Sequence, residues 1–442
     1  MSTIKVNKIL SASNPTVDVV DGLNVSGVVT ATTFVGNLTG NPTGSGANLT
    51  SLPAGNLTGT IADARFPATL PAASAANLTS LPAANLTGTL PAIDGSALTG
   101  VGASFGNSSV NTSGIITATA FVPTSQGSLS HRNMVINGAA MVSQRLGSST
   151  YNLTSASDYF PVDRFRCWAV GGGTLTIQQS ADAPSGFQNS IMFTVNTADT
   201  SGLSQSGSYY IMQQRIEGYN TRRLNMGQSN AQSSTLSFWV KSDVTGIYCV
   251  MLNNKAQNRC YMQEFTVSSA NTWEYKTITY PGDTTGTWLH GNTDGVQLNW
   301  CFASGTNYQG TANQWNTSWK DHTSNQVNFM ATSGNKIRFT GIQLEVGSVA
   351  SPFEHRSFSE ELARCQRYYY QNTAALYLCN YGSNAINNMF HPVQMRSTPT
   401  VSETTTSGNL TSISQITNLS CYYYAASVSG SAGTGIKAEA EL

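Results

Sequence analysis

Charge is scarce in this chain. Among 442 residues there are 22 Lys plus Arg and 22 Asp plus Glu, a tenth of the sequence with a formal net charge of zero. No long-range field therefore draws it to nucleic acid or to an anionic membrane, and charge-driven disorder is disfavoured. Long apolar runs are missing too. No stretch approaches 18 apolar residues, so no membrane insertion is expected, and Met1–Leu10 lacks the apolar segment of a signal peptide. The seven cysteines are odd in number and none stands in a C-x-x-C pair. That disfavours a zinc site or a disulfide framework and points to buried thiols from a reducing compartment.

Catalytic signatures are equally absent. The histidines (His131, His290, His322, His355 and His391) are scattered, with no H-E-x-x-H and no pair at metal-ligand spacing. There is no P-loop, no dinucleotide fingerprint and no G-x-S-x-G elbow. Carboxylates such as Asp158, Asp163, Asp294 and Asp321 exist, but any β-protein of this size has as many. No catalytic residue, metal or cofactor is expected. Asp163-Arg164 reads as a structural ion pair beside a strand, and Gly171-Gly172-Gly173 as a hairpin turn.

What the chain does have is repetition. Asn37-Leu38-Thr39-Gly40 returns in near copies at Asn48, Asn56, Asn77, Asn85 and Ala97. Asn48 recurs at Asn77 and Asn56 at Asn85, both 29 residues on. A fixed period implies stacked units. Each unit offers about one Leu to bury, too little to offset the entropy of ordering it alone. The unit must bury that Leu against other copies, and three parallel chains with Leu on a shared axis would do so. A disordered linker is the alternative. The flanking stretches Asn24–Val35 and Asn111–Val122 resemble one another at an offset of 87, three times 29.

After about residue 128 the character changes. Short apolar alternations predict strands at Thr174–Gln179, Ser190–Val195, Tyr209–Ile216, Thr235–Lys241, Gly246–Leu252, Glu274–Tyr280, Val296–Phe302 and Lys336–Gly347. That spacing suggests an antiparallel sandwich or jelly roll. The alternation flips phase at Gly341, where a bulge is the natural cause. A helix is predicted over Ser357–Gln371, with Ser357 and Glu360 as a capping box and Phe358, Leu362, Cys365 and Tyr369 as its apolar stripe.

The fold class is thus all-β: a homotrimeric fibre with an N-terminal β-repeat shaft, a jelly-roll-like sandwich, one amphipathic helix and a small C-terminal β domain. The boundaries are 1–36 for an N-terminal β segment, 37–127 for the shaft, 128–356 for the sandwich, 357–371 for the helix and 372–442 for the tip.

All seven tryptophans lie between Trp168 and Trp319. In Thr235–Lys241, Leu236, Phe238 and Val240 share one face and Trp239 takes the other. Asn307–Gln326 reads as a long loop carrying Tyr308, Trp315 and Trp319 among amides and hydroxyls. Exposed rings stack on sugar C–H faces while amides bind hydroxyls, so these three are candidate glycan contacts. Trp288 and His290 are weaker candidates of the same kind. The alternative is that Trp315 and Trp319 simply anchor the loop.

Several motifs are familiar together. Met1–Leu10 and Thr30-Ala31-Thr32-Thr33-Phe34-Val35-Gly36-Asn37-Leu38-Thr39-Gly40 resemble structural proteins of tailed phages infecting marine cyanobacteria. Asn133-Met134-Val135-Ile136-Asn137-Gly138, Met141–Arg145 and Asp163-Arg164-Phe165 resemble the opening of a jelly-roll module common in phage tail fibres. Thr340–Gly347, Pro352-Phe353-Glu354 and Cys365–Tyr370 resemble its ending. The resemblance implies a trimeric fibre attached to the virion tail or baseplate by its N-terminus, assembled in the host cytoplasm, with a carbohydrate-binding-like distal part. It supplies no binding residue. The expected partners are two further copies of the chain, virion proteins and host cell-surface polysaccharide. The expected role is receptor adhesion without covalent chemistry. Alternatives are a head, neck or baseplate decoration fibre, and a tailspike depolymerase.

Overall fold

The computed structural model describes residues 131–442, apart from 378, 382–383, 408–411 and 427–432, together with positions 24–28, 30 and 35. The repeats at 37–127 and nearly all of the 1–36 segment lie outside the described residues. The chain divides into two compact units, Met1–Asn111 and Thr112–Leu442.

The second unit is built on an antiparallel sandwich. Its strands are β1 (Tyr151–Leu153), β2 (Ser157–Val162), β3 (Phe165–Val170), β4 (Thr174–Ser180), β5 (Ser190–Thr197) and β6 (Tyr209–Glu217). A one-turn helix α1 (Gly218–Thr221) follows. Then come β7 (Ser234–Ser242), β8 (Gly246–Asn253), β9 (Cys260–Val267), β10 (Glu274–Tyr280), β11 (Asp294–Ser304), β12 (Trp315–Asn316) and β13 (Lys336–Val346). One sheet runs β1-β4-β5-β13-β7-β10 and the other β12-β9-β8-β11-β6-β3-β2. All eight strands expected from alternation form. Their apolar residues line the space between the sheets: Leu236, Phe238, Val240, Ile337 and Phe339 from the first, Tyr248, Val250, Leu298, Trp300 and Phe302 from the second. Trp300 is fully buried, with Phe165, Phe238 and Phe339 rings at 6.4, 5.9 and 6.2 Å. Such aromatic packing dominates the energetics of a core this size.

The module's two ends are stitched together. Asn133 donates its side-chain amide to the Ile342 carbonyl at 3.0 Å and accepts from the Leu344 amide at 3.1 Å. Gly138 accepts from the Ile342 amide at 2.9 Å. On the outer face of β13, Gln343 and Glu345 hold the strap that follows. Glu354 N–H donates to Gln343 at 2.8 Å, and Ser351 donates twice to Glu345 at 2.6 and 2.8 Å. The expected bulge is present, as a register shift between Thr340 and Gln343 with Gly341 at φ +62°.

Three expectations need correction. The Gly171–Gly173 run is no hairpin turn: it carries the chain from β3 in one sheet to β4 in the other. It wraps a buried pair, since Gly173 N–H donates to the Tyr210 hydroxyl at 2.7 Å and that hydroxyl donates to Asp199 at 2.6 Å. Asp163 and Arg164 serve different partners. Asp163 accepts from Gln144 at 2.9 Å, while Arg164 reaches Glu441 and lies 3.6 Å over the Tyr368 ring. The helix α2 is shorter than expected, Phe358–Gln366. Ser357 caps it, accepting from Glu360 N–H at 3.3 Å. It stops because Arg367 and Tyr368 turn aside to bind Glu217, and Tyr369 already begins a strand.

That strand is β14 (Tyr369–Tyr377), followed by β15 (Cys379–Tyr381), β16 (Asn384–Phe390), β17 (Thr400–Ser407), β18 (Ser412–Ser414), β19 (Ser420–Ala426) and β20 (Gly433–Glu439). They form two small sheets, β14-β20-β17 and β15-β16-β19-β18. The C-terminal residues return to the sandwich. Arg145 pairs with Glu439 and Glu441, and Arg215 donates to the Leu442 carbonyl at 2.7 Å. No helix among the described residues is long and apolar enough to cross a membrane.

Candidate functional site

The loop after β11 is tightly tied. Asp321 N–H donates to the Tyr308 carbonyl at 2.9 Å, Lys320 to the Asn307 carbonyl at 2.7 Å, and Asn313 N–H to Met262 on β9 at 2.9 Å. Within it the expected aromatics go to two different places. Tyr308 and Trp319 stand 4.7 Å apart and pack on Tyr209 of β6, at 5.5 and 5.2 Å. Trp168 of β3 completes the strip, 4.9 Å from Tyr209 and 6.4 Å from Trp319. Arg166 covers the Trp168 ring at 4.4 Å and pairs with Asp158 at 2.5 Å. The strip is half-exposed, except for Tyr209, which is buried. Burial, with Tyr308 adding to it, pushes the Tyr209 hydroxyl up to about 12.

Trp315 and Trp288 lie elsewhere. Trp315 packs on the core against Tyr261 at 5.2 Å and Trp288 at 5.8 Å. Trp288 is 6% exposed, and its indole N–H donates to Asp283 at 3.0 Å. Asp283 in turn takes a bidentate Arg259 at 2.6 and 2.7 Å. These two rings hold the loop to the sandwich, Trp288 buried and Trp315 half-buried. His290 is half-buried, and among the described residues only its carbonyl is engaged, by Arg222 at 2.9 Å.

The opposite sheet carries a concavity. Its outer face holds a groove of about 530 Å³ lined by Phe187, Trp239, Tyr275, Gly341, Phe353 and His355. Trp239 of β7 and Tyr275 of β10 are register partners with rings 5.3 Å apart, and Tyr275 is 43% exposed. Phe187, Phe353 and His355 form the facing wall, with centroids 4.9 to 5.3 Å apart. The Gln343–Glu345 grip on the strap sets Phe353 in place. Polar groups adjoin the rings. Lys241, two residues from Trp239 on the same face of β7, pairs with Asp182 at 2.9 Å. Asp182 also takes the Trp273 indole N–H and Arg338, each at 3.2 Å, and these partners, with Lys241, hold its carboxyl below the usual range against the opposing effect of burial. Aromatic walls beside a few fixed polar groups, at this volume, are the ordinary make-up of a small-molecule site. Of these residues the sequence marks Trp239 as the outward ring of its strand and Gly341 as a bulge, but nothing in it brings them together with the others.

No family model matches the chain, and no curated protein matches it. Among solved structures, the enzymatically active domain of tailspike protein 4 of bacteriophage CBA120 is 12% identical with a TM-score of 0.26. That match covers 49% of this chain and only 21% of the tailspike chain. A family 11 carbohydrate-binding module from a Clostridium thermocellum cellulosomal cellulase is 12% identical over 46% of this chain and 100% of its own, with a TM-score of 0.25. The binding-module and catalytic-module portion of a Clostridium thermocellum xylanase, solved with xylohexaose, is 11% identical over 46% of this chain and 30% of its own, with a TM-score of 0.23. Likeness at such TM-scores carries no statement about ligand or activity.

Proposed function

We propose that this chain is a homotrimeric tail fibre of a tailed phage, mounted on the virion by its N-terminus, which attaches to host-surface glycan without covalent chemistry. The observation that carries the glycan reading is the Trp239–Tyr275 groove: a concave surface with ring faces on both walls and the hydroxyl-bearing residues Ser185 and Ser351 in its lining. The Tyr308–Trp319 pair supplies a second, flatter contact on the other sheet. The repeats carry the trimer reading, because one Leu per unit needs other copies to bury it. Three equivalent sites then turn weak single-site binding into avidity of roughly 10²–10⁴ where all reach one surface.

A glycan array probed with the intact chain tests this. Neutral oligosaccharides should bind, and binding should fall in a Trp239→Ala/Tyr275→Ala variant. A smaller loss is expected for Tyr308→Ala/Trp319→Ala. Binding indifferent to both variants would remove the site assignment. No glycan bound, with phage adsorption undiminished by saturating antibody against this chain, would favour the decoration-fibre reading. Release of reducing ends from host polysaccharide would favour a depolymerase. Sedimentation of the 46.9 kDa chain as a monomer would overturn the trimer.

A further inference from the structure

A second concavity, of about 480 Å³, opens where the chain enters the sandwich, lined by His131, Asn133, Tyr219, Asn220, Arg223 and Arg364. Three segments meet there: the stretch ahead of β1, the turn after β6, and α2. Its chemistry differs from that of the aromatic groove. Arg223 is fixed by one nitrogen only, Nη2, which donates to the carbonyls of His131 and Arg132 at 2.7 and 3.3 Å. Its Nε and Nη1 have no partner among the described residues. Arg364 is held by Glu360 through Nε and Nη2 at 3.3 and 2.9 Å, and its Nη1 is likewise uncommitted. Of the nearby carboxylates, Glu360 pairs with Arg364, while Glu354 pairs with Arg356, accepts from the Asn133 amide and also acts on Arg223 through its charge. Arg222, outside the cavity lining, stands 5.1 Å over the Tyr219 ring. Tyr219 is 53% exposed, and Asn220 is exposed, its side chain making no hydrogen bond among the described residues.

Two guanidiniums with uncommitted donors, an open ring and a free amide therefore converge on one small cavity. Forked N–H donors of this kind match an oxyanion, and such charge-assisted bonds are the strong ones. Against nucleic acid stands the zero net charge of the chain, which leaves no extended positive track. The volume suits a short oligosaccharide, and Tyr219 and Asn220 suit its ring and hydroxyls. We infer that this cavity binds an acidic sugar residue, with Arg223 and Arg364 at the anionic group. The ligand is a charged polysaccharide, and its site is separate from the Trp239–Tyr275 groove.

Titration calorimetry on the full chain decides it, using trigalacturonate, its methyl ester and a sulfated carrageenan disaccharide. The first and third separate a carboxylate from a sulfate source. At least one acidic probe should bind, with affinity falling as salt rises, and the neutral ester should bind about tenfold more weakly or not at all. Arg223→Gln should cost about tenfold. Because Arg223 also braces two carbonyls, Arg364→Gln and Tyr219→Ala, both at the surface, give independent readings and should each weaken binding. Trp239→Ala should leave it unchanged, so loss of neutral-glycan binding at the groove does not touch this result. Equal affinity for acid and ester, acidic binding insensitive to Arg364→Gln and Tyr219→Ala, or no acidic probe bound at all would each overturn the assignment.

Discussion

A Cβ on Gly341 would lie 2.7 Å from Cζ of Phe187 and 3.0 Å from Cδ1 of Trp239. The bulge on β13 and the floor of the aromatic groove are thus one feature. Gly341 also sits at φ +62°, a left-handed conformation that other residues adopt at a cost. Gly341→Ala should destabilise the protein by about 1–3 kcal/mol and displace a groove ring. Urea denaturation and glycan affinity, measured on the same preparation, should both worsen. An unchanged midpoint with unchanged affinity would detach the bulge from the groove.

The strands that read clearly in the sequence were mostly those whose residues alternate apolar and polar, whether or not the polar face is open. β11 alternates Val296, Leu298 and Trp300 with Gln297 and Asn299 although all of it is buried. In β7, Leu236, Phe238 and Val240 go inward while Trp239 goes outward. β9 did not read as a strand because polar Gln263 interrupts its inward row of Tyr261, Phe265 and Val267, and apolar Met262 interrupts its outward row. Its outward Met262 joins Cys249 and Cys301 in a small apolar cluster, so no alternation survives. The loop aromatics were legible as a set but not in their division, because Tyr209 and Trp168, which receive Tyr308 and Trp319, come from strands far away in sequence. The groove was less legible still. Phe187, Tyr275 and Phe353 stand on three separate segments, and only the sheet order and the Gln343–Glu345 grip bring them together.

An ion pair with a buried carboxylate and a partly exposed guanidinium joins the end of α2 to the sandwich. Glu217, 1% exposed, receives Arg367 through two bonds of 2.6 and 3.0 Å and the Tyr368 hydroxyl at 2.6 Å. Removing the guanidinium leaves the carboxylate buried and unpaired. Arg367→Met should cost about 3 kcal/mol in urea denaturation, and adding Glu217→Gln should restore much of it. A double variant no more stable than Arg367→Met would show that the pair matters through packing alone.

Cys167, Cys249, Cys260, Cys301 and Cys365 are buried free thiols. Burial pushes Cys249 and Cys260 up to about 12, and Cys301 and Cys365 well above the ordinary thiol value. Thiolate is the reactive form, so these five should resist a disulfide reagent at pH 8 in the native protein and react fully in guanidinium. Rapid native labelling at any of the five, located by peptide mass spectrometry, would contradict their placement.

Asp321, at the base of the loop that carries Trp319, is fully buried with a carboxyl pushed up to about 7, chiefly by desolvation. Ser304 donates to one oxygen at 3.0 Å, and the other has no partner among the described residues. Between the ordinary Asp value of about 3.9 and about 7, the folded state holds a proton that the unfolded state has released. Stability from this group therefore falls as pH rises through that window, and the loss is complete above about 7. The size of the loss is on the order of a few kcal/mol. His322 acts in the opposite sense. Burial holds its imidazole below the ordinary value, so it favours folding as pH rises through the normal histidine range. Comparing wild type with Asp321→Asn separates the two, since the amide is neutral at every pH. Urea midpoints from pH 4.5 to 8 should show wild type losing ground to Asp321→Asn as pH rises, with the gap levelling off above about 7. A gap that stays constant across the range would mean Asp321 is already ionised in the folded protein.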